Sequence, residues 1–198
     1  MEPEANFYEE FKRLHPKPYF SFPDIPDYKG YSFEKLNIEN FKQLYLLFED
    51  DDSNFVDERF KDYKEAKDYA TYVTVCGAHS PKHGCQDWFF KLPGEEYVGI
   101  IHLYDLSLET FAQNNRRAWI VFATKNKFRN NGITTEVIQY FISYIFASYP
   151  AINFIHTMTF KENVFAKKLL TKVGFSKDIE ERVSKIHEFY LLSRPELS

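Results

Sequence analysis

The chain has 198 residues, a formal net charge of −4 and a hydrophobic fraction of 44%. The length suits one ordinary domain, and the acidic balance excludes a general nucleic-acid binder, which carries a basic face. Phe and Tyr number 21 and 14, enough apolar area for a thick core or a dimer surface, so an ordered monomer or homodimer is expected and a disordered chain is not.

The sequence opens Met-Glu-Pro-Glu, without the basic and apolar regions of a secretory leader, and no apolar run reaches the roughly 18 residues of a membrane span. A cytoplasmic protein with no membrane partner and reduced cysteines is expected.

Residues 3–14 read as a short helix stopped by Pro16 and Pro18, and the Pro-rich stretch 16–26 as extended chain over the surface. Tyr31 to Leu36 alternates as a strand does. Asn37 is placed to cap the next helix, on which Ile38, Phe41, Tyr45 and Phe48 share a face. A second amphipathic helix is expected from Val56 to Val73, with Val56, Phe60, Tyr63 and Ala70 recurring at helical spacing. A polar loop follows over 76–86. Residues 88–92 and 97–103 flank Pro93-Gly94-Glu95-Glu96 as the strands of a hairpin.

A strand at 118–124 leads through a loop into a helix from Thr135 to about Ala147. A strand at 152–158 and a helix at 163–173 come next, the helix with Ala166, Leu169, Leu170 and Val173 as its buried stripe. Gly174 stands where a C-cap belongs. Strands from Phe175 onward and from Val183 to Leu192 close the chain. No repeat or linker divides it. The expected organisation is one α/β domain over 31–192, with 1–30 as an extension packing on it and 193–198 as a tail.

The loop Phe128-Arg129-Asn130-Asn131-Gly132-Ile133-Thr134 joins an apolar strand to an apolar helix. A helix start leaves backbone N–H groups without intrahelical partners, and these sit at the positive end of the helix dipole. The loop therefore reads either as an anion site suited to phosphate, on the N–H groups of residues 130–135 with the Arg129 side chain nearby, or as a plain strand–helix connection with no ligand.

Two motifs and the order of elements resemble the GNAT N-acetyltransferase superfamily, most closely its ribosomal-protein-alanine N-acetyltransferase branch. The acetyl-CoA loop of that family follows Gln/Arg-x-x-Gly-x-Gly/Ala, and Arg129 to Thr134 follows it apart from Thr134 in the last place. An Asn, a small residue three further on and a Lys-x-Gly-Phe ending recur as Asn163, Ala166 and Lys172 to Phe175. The resemblance covers roughly Tyr31 to Leu192. It implies a single α/β (α+β) domain with a mixed, mostly antiparallel central sheet, splayed at the cofactor site and covered by helices on both faces.

It further implies acetyl transfer from acetyl-CoA to a primary amine by direct attack in a ternary complex. The partners are then acetyl-CoA and an amine acceptor, a small molecule or the N-terminal α-amine of a protein or peptide. Phe122, Ala123 and Thr124 would offer backbone groups to the pantetheine arm. Arg129, Asn130, Asn131, Gly132, Ile133 and Thr134 would hold the pyrophosphate, and Asn163 would bond the pantetheine or phosphate region. Lys125, Lys127, Lys167 and Lys168 are candidates for the adenosine 3′-phosphate.

The acceptor chemistry is less marked. Many members of the family carry a Tyr general acid seven residues after the Asn, where this chain has Leu170. His102, Asp105 and His156 are the candidates for a base, imidazole being suited by its titration near neutrality. A backbone N–H near Ala123 or Thr124 is the candidate oxyanion donor. The absence of the Tyr leaves a catalytically silent acyl-CoA-binding module as the alternative. The acidic run Glu49 to Asp52, with Asp57 and Glu58, reads either as an attractor for a cationic amine or as a solvated turn that caps the second helix. Cys76, His79, His83 and Cys85 are metal-capable, but their spacing is compressed relative to zinc sites and no metal is expected.

Overall fold

The structure, a computed structural model, describes residues 3–94, 96–106, 117–179 and 184–195. Helices α1 (Pro3–Leu14), α2 (Phe41–Phe48), α3 (Tyr63–Cys76), α4 (Ile133–Ser148) and α5 (Val164–Val173) surround strands β1 (Ser32–Lys35), β2 (Gly84–Leu92), β3 (Glu96–Leu106), β4 (Arg117–Thr124), β5 (Phe154–Phe160), β6 (Ser176–Lys177) and β7 (His187–Ser193). The strands form one seven-stranded sheet in the order β1-β2-β3-β4-β5-β7-β6.

Every pairing is antiparallel except β4 with β5, and that parallel pair defines the molecule. It is joined only at Arg117–Phe154, Ala118–Ile155 and Trp119–His156. Beyond Trp119, β4 stays paired with β3 as far as Thr124, while β5 stays paired with β7 as far as Phe160. The two strands therefore part, and the sheet splays as the family resemblance implies.

Alternation along the strands gives two cores. On one face Trp88, Ile101, Leu103 and Ile120 meet Val137, Phe141 and Ile145 of α4. On the other, Phe89 and Ile100 meet Leu44, Leu47 and Phe48 of α2 and Ala66 and Ala70 of α3. The Pro-rich stretch does more than cross the surface: Phe20, Phe22 and Ile25 are buried in the α4 core. Full burial of such side chains is worth roughly 1.5–3 kcal/mol each.

Local signals account for the remaining boundaries. Asn37 Oδ1 accepts from the N–H groups of Glu39 and Asn40, making a turn ahead of α2, which starts only at Phe41. Its buried face is Leu44, Leu47 and Phe48, while Ile38 lies 45% exposed. The second helix begins at Tyr63, not Val56, because Asp62 caps it through the Glu65 N–H at 2.9 Å. That Asp-x-x-Glu spacing is a helix-start signature. Val56 and Phe60 pack from the preceding loop, and the buried stripe of α3 is Ala66, Ala70, Val73 and Cys76.

The polar loop ends at His83, since β2 already runs from Gly84 with a register shift between Gly84 and Gln86. At the other end, β7 starts at His187; Val183 and residues 196–198 lie outside the described residues.

Candidate functional site

A cleft of about 560 Å³ lies between the end of β4, the start of α4 and α5, and most of the sequence-predicted cofactor residues collect in it. Phe122, Ala123 and Thr124 line it from β4; Arg129, Asn130, Gly132 and Thr134 from the loop and the start of α4; Asn163 and Lys168 from the start of α5. Asn131 works from behind, its Oδ1 accepting from the Ile133 N–H at 3.2 Å, and Ile133 packs against the α4 core.

Gly132 is the N-cap of α4 with φ of 87° and Asn130 has φ of 64°, so the chain makes two left-handed steps before the helix starts. Glycine takes such a step without strain, and asparagine is among the few other residues that tolerate it. The first turn of a sixteen-residue helix thus faces the cleft with the N–H groups that have no intrahelical partner.

Arg129 departs from its expected role. Its guanidinium bonds the carboxylate of Asp51 through Nη2, and its Nε donates to the Thr124 carbonyl at 2.9 Å. The Asp51 side chain is 2% exposed. Burial alone would raise its pKa, but bonds from Ser53 and the charge of Arg129 outweigh that and hold it below the ordinary 3.8. Arg129 is thus a clamp between the loop after α2 and the end of β4, which leaves the backbone N–H groups at the start of α4 as the donors that could meet an anion. Thr134 is also engaged, its hydroxyl 2.8 Å from that of Thr124.

Asn163 caps α5, its Oδ1 accepting from the Ala166 N–H at 3.0 Å. Leu170 is buried in the core, whereas Ala166 and Leu169, expected in the buried stripe, are half-buried because they line the cleft. Of the four candidate lysines only Lys168 lines it. Lys125 donates to the Leu46 carbonyl, Lys127 pairs with Glu96, and Lys167 bonds the Lys161 carbonyl. Lys172, not among the candidates, lines it too.

The base candidates separate. His156, 7% exposed at the vertex of the splay, packs its ring against Trp119 and lies 3.7 Å from the Asp178 carboxylate. His102 and Asp105 line a second cavity of about 720 Å³, between α3 and the sheet, with Arg59, Glu65, Tyr69 and Tyr104. Two residues that sequence reasoning missed stand there. Asp87, fully buried, is directly opposite His102 in the β2–β3 ladder and accepts from His102 Nδ1. The Tyr69 hydroxyl donates to Asp87 at 2.9 Å and lies 3.1 Å from His102 Nδ1. Counted from the Pro93-Gly94 turn, the hairpin register sets Asp87 against Ile101; the register shift between Phe90 and Lys91 brings it opposite His102, so no local signal in the sequence places the pair.

Two carboxylates of the acidic region are engaged within the protein, while Glu49, Asp50 and Asp52 are exposed. Asp51 holds Arg129, and Asp57 caps the short 3₁₀ turn Glu58–Phe60 and bonds Arg59 with both oxygens. Cys76 and Cys85 are buried free thiols, and His79 Nδ1 bonds the His15 carbonyl at 2.8 Å. Among the described residues no group of three or more His, Cys, Asp or Glu is placed to hold a metal, and no helix is long and apolar enough to cross a membrane.

Solved structures share this architecture. The ribosomal-protein-S5-alanine acetyltransferase of Vibrio fischeri superposes with a TM-score of 0.69 at 11% identity, over 88% of this chain and 100% of that one. The ribosomal L7/L12 α-N-protein acetyltransferase RimL, solved with coenzyme A, gives 0.67 at 12% over 86% and 98%. The aminoglycoside acetyltransferase AAC(6′)-Ib, also with coenzyme A, gives 0.66 at 12% over 83% and 95%. At such identities the likeness is one of fold. Comparison with curated proteins by sequence finds no match. The family model for the acetyltransferase (GNAT) domain matches residues 33–176, from β1 to the start of β6. The chain therefore belongs to the GNAT acetyltransferase family, the acetyl-CoA-dependent N-acetyltransferases.

Proposed function

We propose that this protein transfers the acetyl group of acetyl-CoA to a primary amine by direct attack in a ternary complex, with the N-terminal α-amine of a protein or peptide as the leading acceptor. The observation that carries the reading is the cleft where β4 leaves β5. One continuous surface there combines an open strand edge at Phe122 to Thr124, a helix start at Gly132 and the cap residue Asn163. A strand edge can bond an extended amide-bearing arm, and a helix start can bond a pyrophosphate. The fold neighbours that acetylate ribosomal proteins support the choice of acceptor. A cytosolic setting belongs to the same reading and fits the two free, buried thiols.

Calorimetry with acetyl-CoA, followed by CoA release against alanine-initiated peptides, spermidine and kanamycin, tests the reading. Acetyl-CoA affinity with turnover of a peptide amine is the expected result. Affinity without turnover of any amine favours the silent binding module, and turnover of spermidine or kanamycin alone overturns the choice of acceptor.

A further inference from the structure

The cavity between α3 and the sheet holds a hydrogen-bonded arrangement that the acetyl-CoA cleft does not use. A primary alkyl amine is protonated near neutral pH and has no lone pair with which to attack a thioester. The carboxylates of Glu65, Asp68 and Asp105 line this cavity and favour the charged form of such a molecule further. An ammonium acceptor seated there must give up a proton before it reacts.

We propose that His102, held by Asp87 and Tyr69, is the base that takes this proton, and that the cavity it lines seats the acceptor amine. The inference rests on the acetyltransferase reading above. Its first support is the tautomer. The buried Asp87 carboxylate accepts from Nδ1, which makes Nδ1 the protonated nitrogen and leaves the Nε2 lone pair as the basic site. The second Asp87 oxygen is occupied by the Tyr69 hydroxyl at 2.9 Å. Burial first, and then the charge of Asp87, push the Tyr69 phenol well above its ordinary pKa, so it remains a donor to the carboxylate. When His102 becomes an imidazolium, a fixed and desolvated carboxylate lies against it, the condition under which an ion pair stabilises most.

Position is the second support. His102 pairs with Val121 and Ile100 pairs with Ala123, so the His102 side chain stands on the same face as Ala123 and two pairs away along the ladder. Directly opposite residues keep their Cβ atoms roughly 5 Å apart. The loop over 53–60 lies between the two spaces, with Ser53, Phe55 and Val56 lining the acetyl-CoA cleft and Arg59 lining the cavity. His102 thus borders, through its partner Val121, the strand whose Ala123 lines the cleft, and the cavity and the cleft lie on either side of the 53–60 loop.

The charges around His102 are arranged element by element. From the 3₁₀ turn, Asp57 and Arg59 face it as a pair joined at 2.7 Å. From α3 come Glu65 and Asp68, the latter paired with Lys64 at 2.8 Å. His83 comes from the loop before β2, and from β2 itself come Asp87 and Cys85, whose thiol burial pushes up to about 12. From β3 itself come Asp105 and Tyr104, the Tyr104 ring stacked 4.8 Å from the imidazole and its phenol raised to about 12 by burial and then by Asp105.

The step balances as follows. Nε2 takes one proton from the ammonium, and the amine lone pair forms a C–N bond to the thioester carbon. The C–S bond breaks, the CoA thiolate leaves, and the remaining excess proton on nitrogen passes to that sulfur. The imidazolium returns its proton to solvent, so the products are the amide, CoA and one proton. His102 is the catalytic residue; Asp87 and Tyr69 are positioning residues.

The test uses the full chain, acetyl-CoA and two kinds of probe: spermidine, kanamycin or an alanine-initiated peptide as ammonium acceptors, and hydroxylamine as an acceptor already neutral at pH 7. His102→Gln should bind acetyl-CoA as the wild type does and lower kcat on the ammonium acceptor by roughly 10²–10⁴-fold. It should lose the acidic limb of the pH–rate profile and leave hydroxylamine acetylation nearly unchanged. Asp87→Asn should lower kcat about 10–100-fold, the worth of a hydrogen bond to a charged group, and move the acidic limb to lower pH because the imidazolium loses its counter-charge. Tyr69→Phe should act in the same direction and more weakly. A folded His102→Gln protein with wild-type kcat and pH profile overturns the relay and leaves the acetyltransferase reading standing. A wild-type chain without acetyl-CoA affinity overturns both.

Discussion

The acetyl-CoA cleft and the acceptor-side cavity are built in opposite ways. The proposed cofactor contacts of the cleft fall on short, contiguous pieces, chiefly the end of β4 and the starts of α4 and α5, whose backbone would do the binding. The cavity is made from single side chains on α3, the 3₁₀ turn, β2 and β3, brought together only by the hairpin register and the packing of α3 on the sheet. A backbone site shows in sequence as the residues that permit a conformation, glycine and the capping amides. A side-chain site shows only once strand pairing is known. On the proposed assignment, the donor half of the reaction is written locally and the acceptor half in tertiary contacts.

The clamp between these regions gives the largest expected effect. Arg129→Met removes the partner of an Asp51 side chain that is 2% exposed, leaving a buried charge without its counter-ion. Breaking a buried pair in this way costs about 3–5 kcal/mol, and the lower end is expected because the Arg129 side chain is 29% exposed. Denaturant unfolding should show the loss, and Asp51→Asn combined with Arg129→Met should recover part of it. The pH dependence follows from the depressed Asp51 pKa. Its contribution is fully present above the unfolded-state value of about 4 and is lost as pH falls through the lower folded-state value. The wild type should therefore lose stability in acid more steeply than the double variant. An Arg129→Met protein as stable as the wild type but deficient in acetyl-CoA binding would return Arg129 to the phosphate and make the cleft partly a side-chain site.

This clamp also marks the limit of what the sequence made legible. The fold class, the splay and the cleft residues followed from two motifs and the element order. Asn163 and Gly174, as caps, and Gly132, as a left-handed step, do locally what their residue types allow. The partner of Arg129 is 78 positions away in sequence, inside an acidic run that reads equally well as a solvated turn. Apolar spacing from Val56 continues the helical pattern ahead of the start of α3, and only the Asp62–Glu65 cap marks where the helix begins. Asp87 lay unnoticed because its meaning depends wholly on the residue across the ladder.

Gly132→Val is the next largest perturbation and tests the backbone character of the cleft directly. A Cβ built at Gly132 meets nothing within 4 Å, so the expected penalty is not a clash within the loop. It arises from φ of 87°, which a β-branched residue reaches at a cost of about 1–3 kcal/mol. The new side chain also enters the cleft that Gly132 lines. Thermal unfolding should register the strain, and calorimetry should show acetyl-CoA affinity falling by more than the strain alone explains. A folded variant with undiminished affinity removes the pyrophosphate from this loop.

The smallest effect concerns Thr134, where the chain departs from the Gly or Ala of the family motif. A threonine hydroxyl in the first turn of α4 would compete with the phosphate for backbone donors, or crowd it, if it were free to turn into the cleft. Here it lies 2.8 Å from the Thr124 hydroxyl and ties the helix start to the end of β4. Thr134→Ala should therefore lower stability by about 1 kcal/mol, the net worth of one neutral hydrogen bond, while acetyl-CoA affinity holds within roughly twofold, well under the 1.4 kcal/mol that a tenfold change represents. A large gain in affinity on the same substitution would mean that the hydroxyl faces the phosphate and that the cleft is narrower than the backbone alone makes it. A large loss would make Thr134 a side-chain ligand, and the contrast between a backbone-built donor site and a side-chain-built acceptor site would no longer hold.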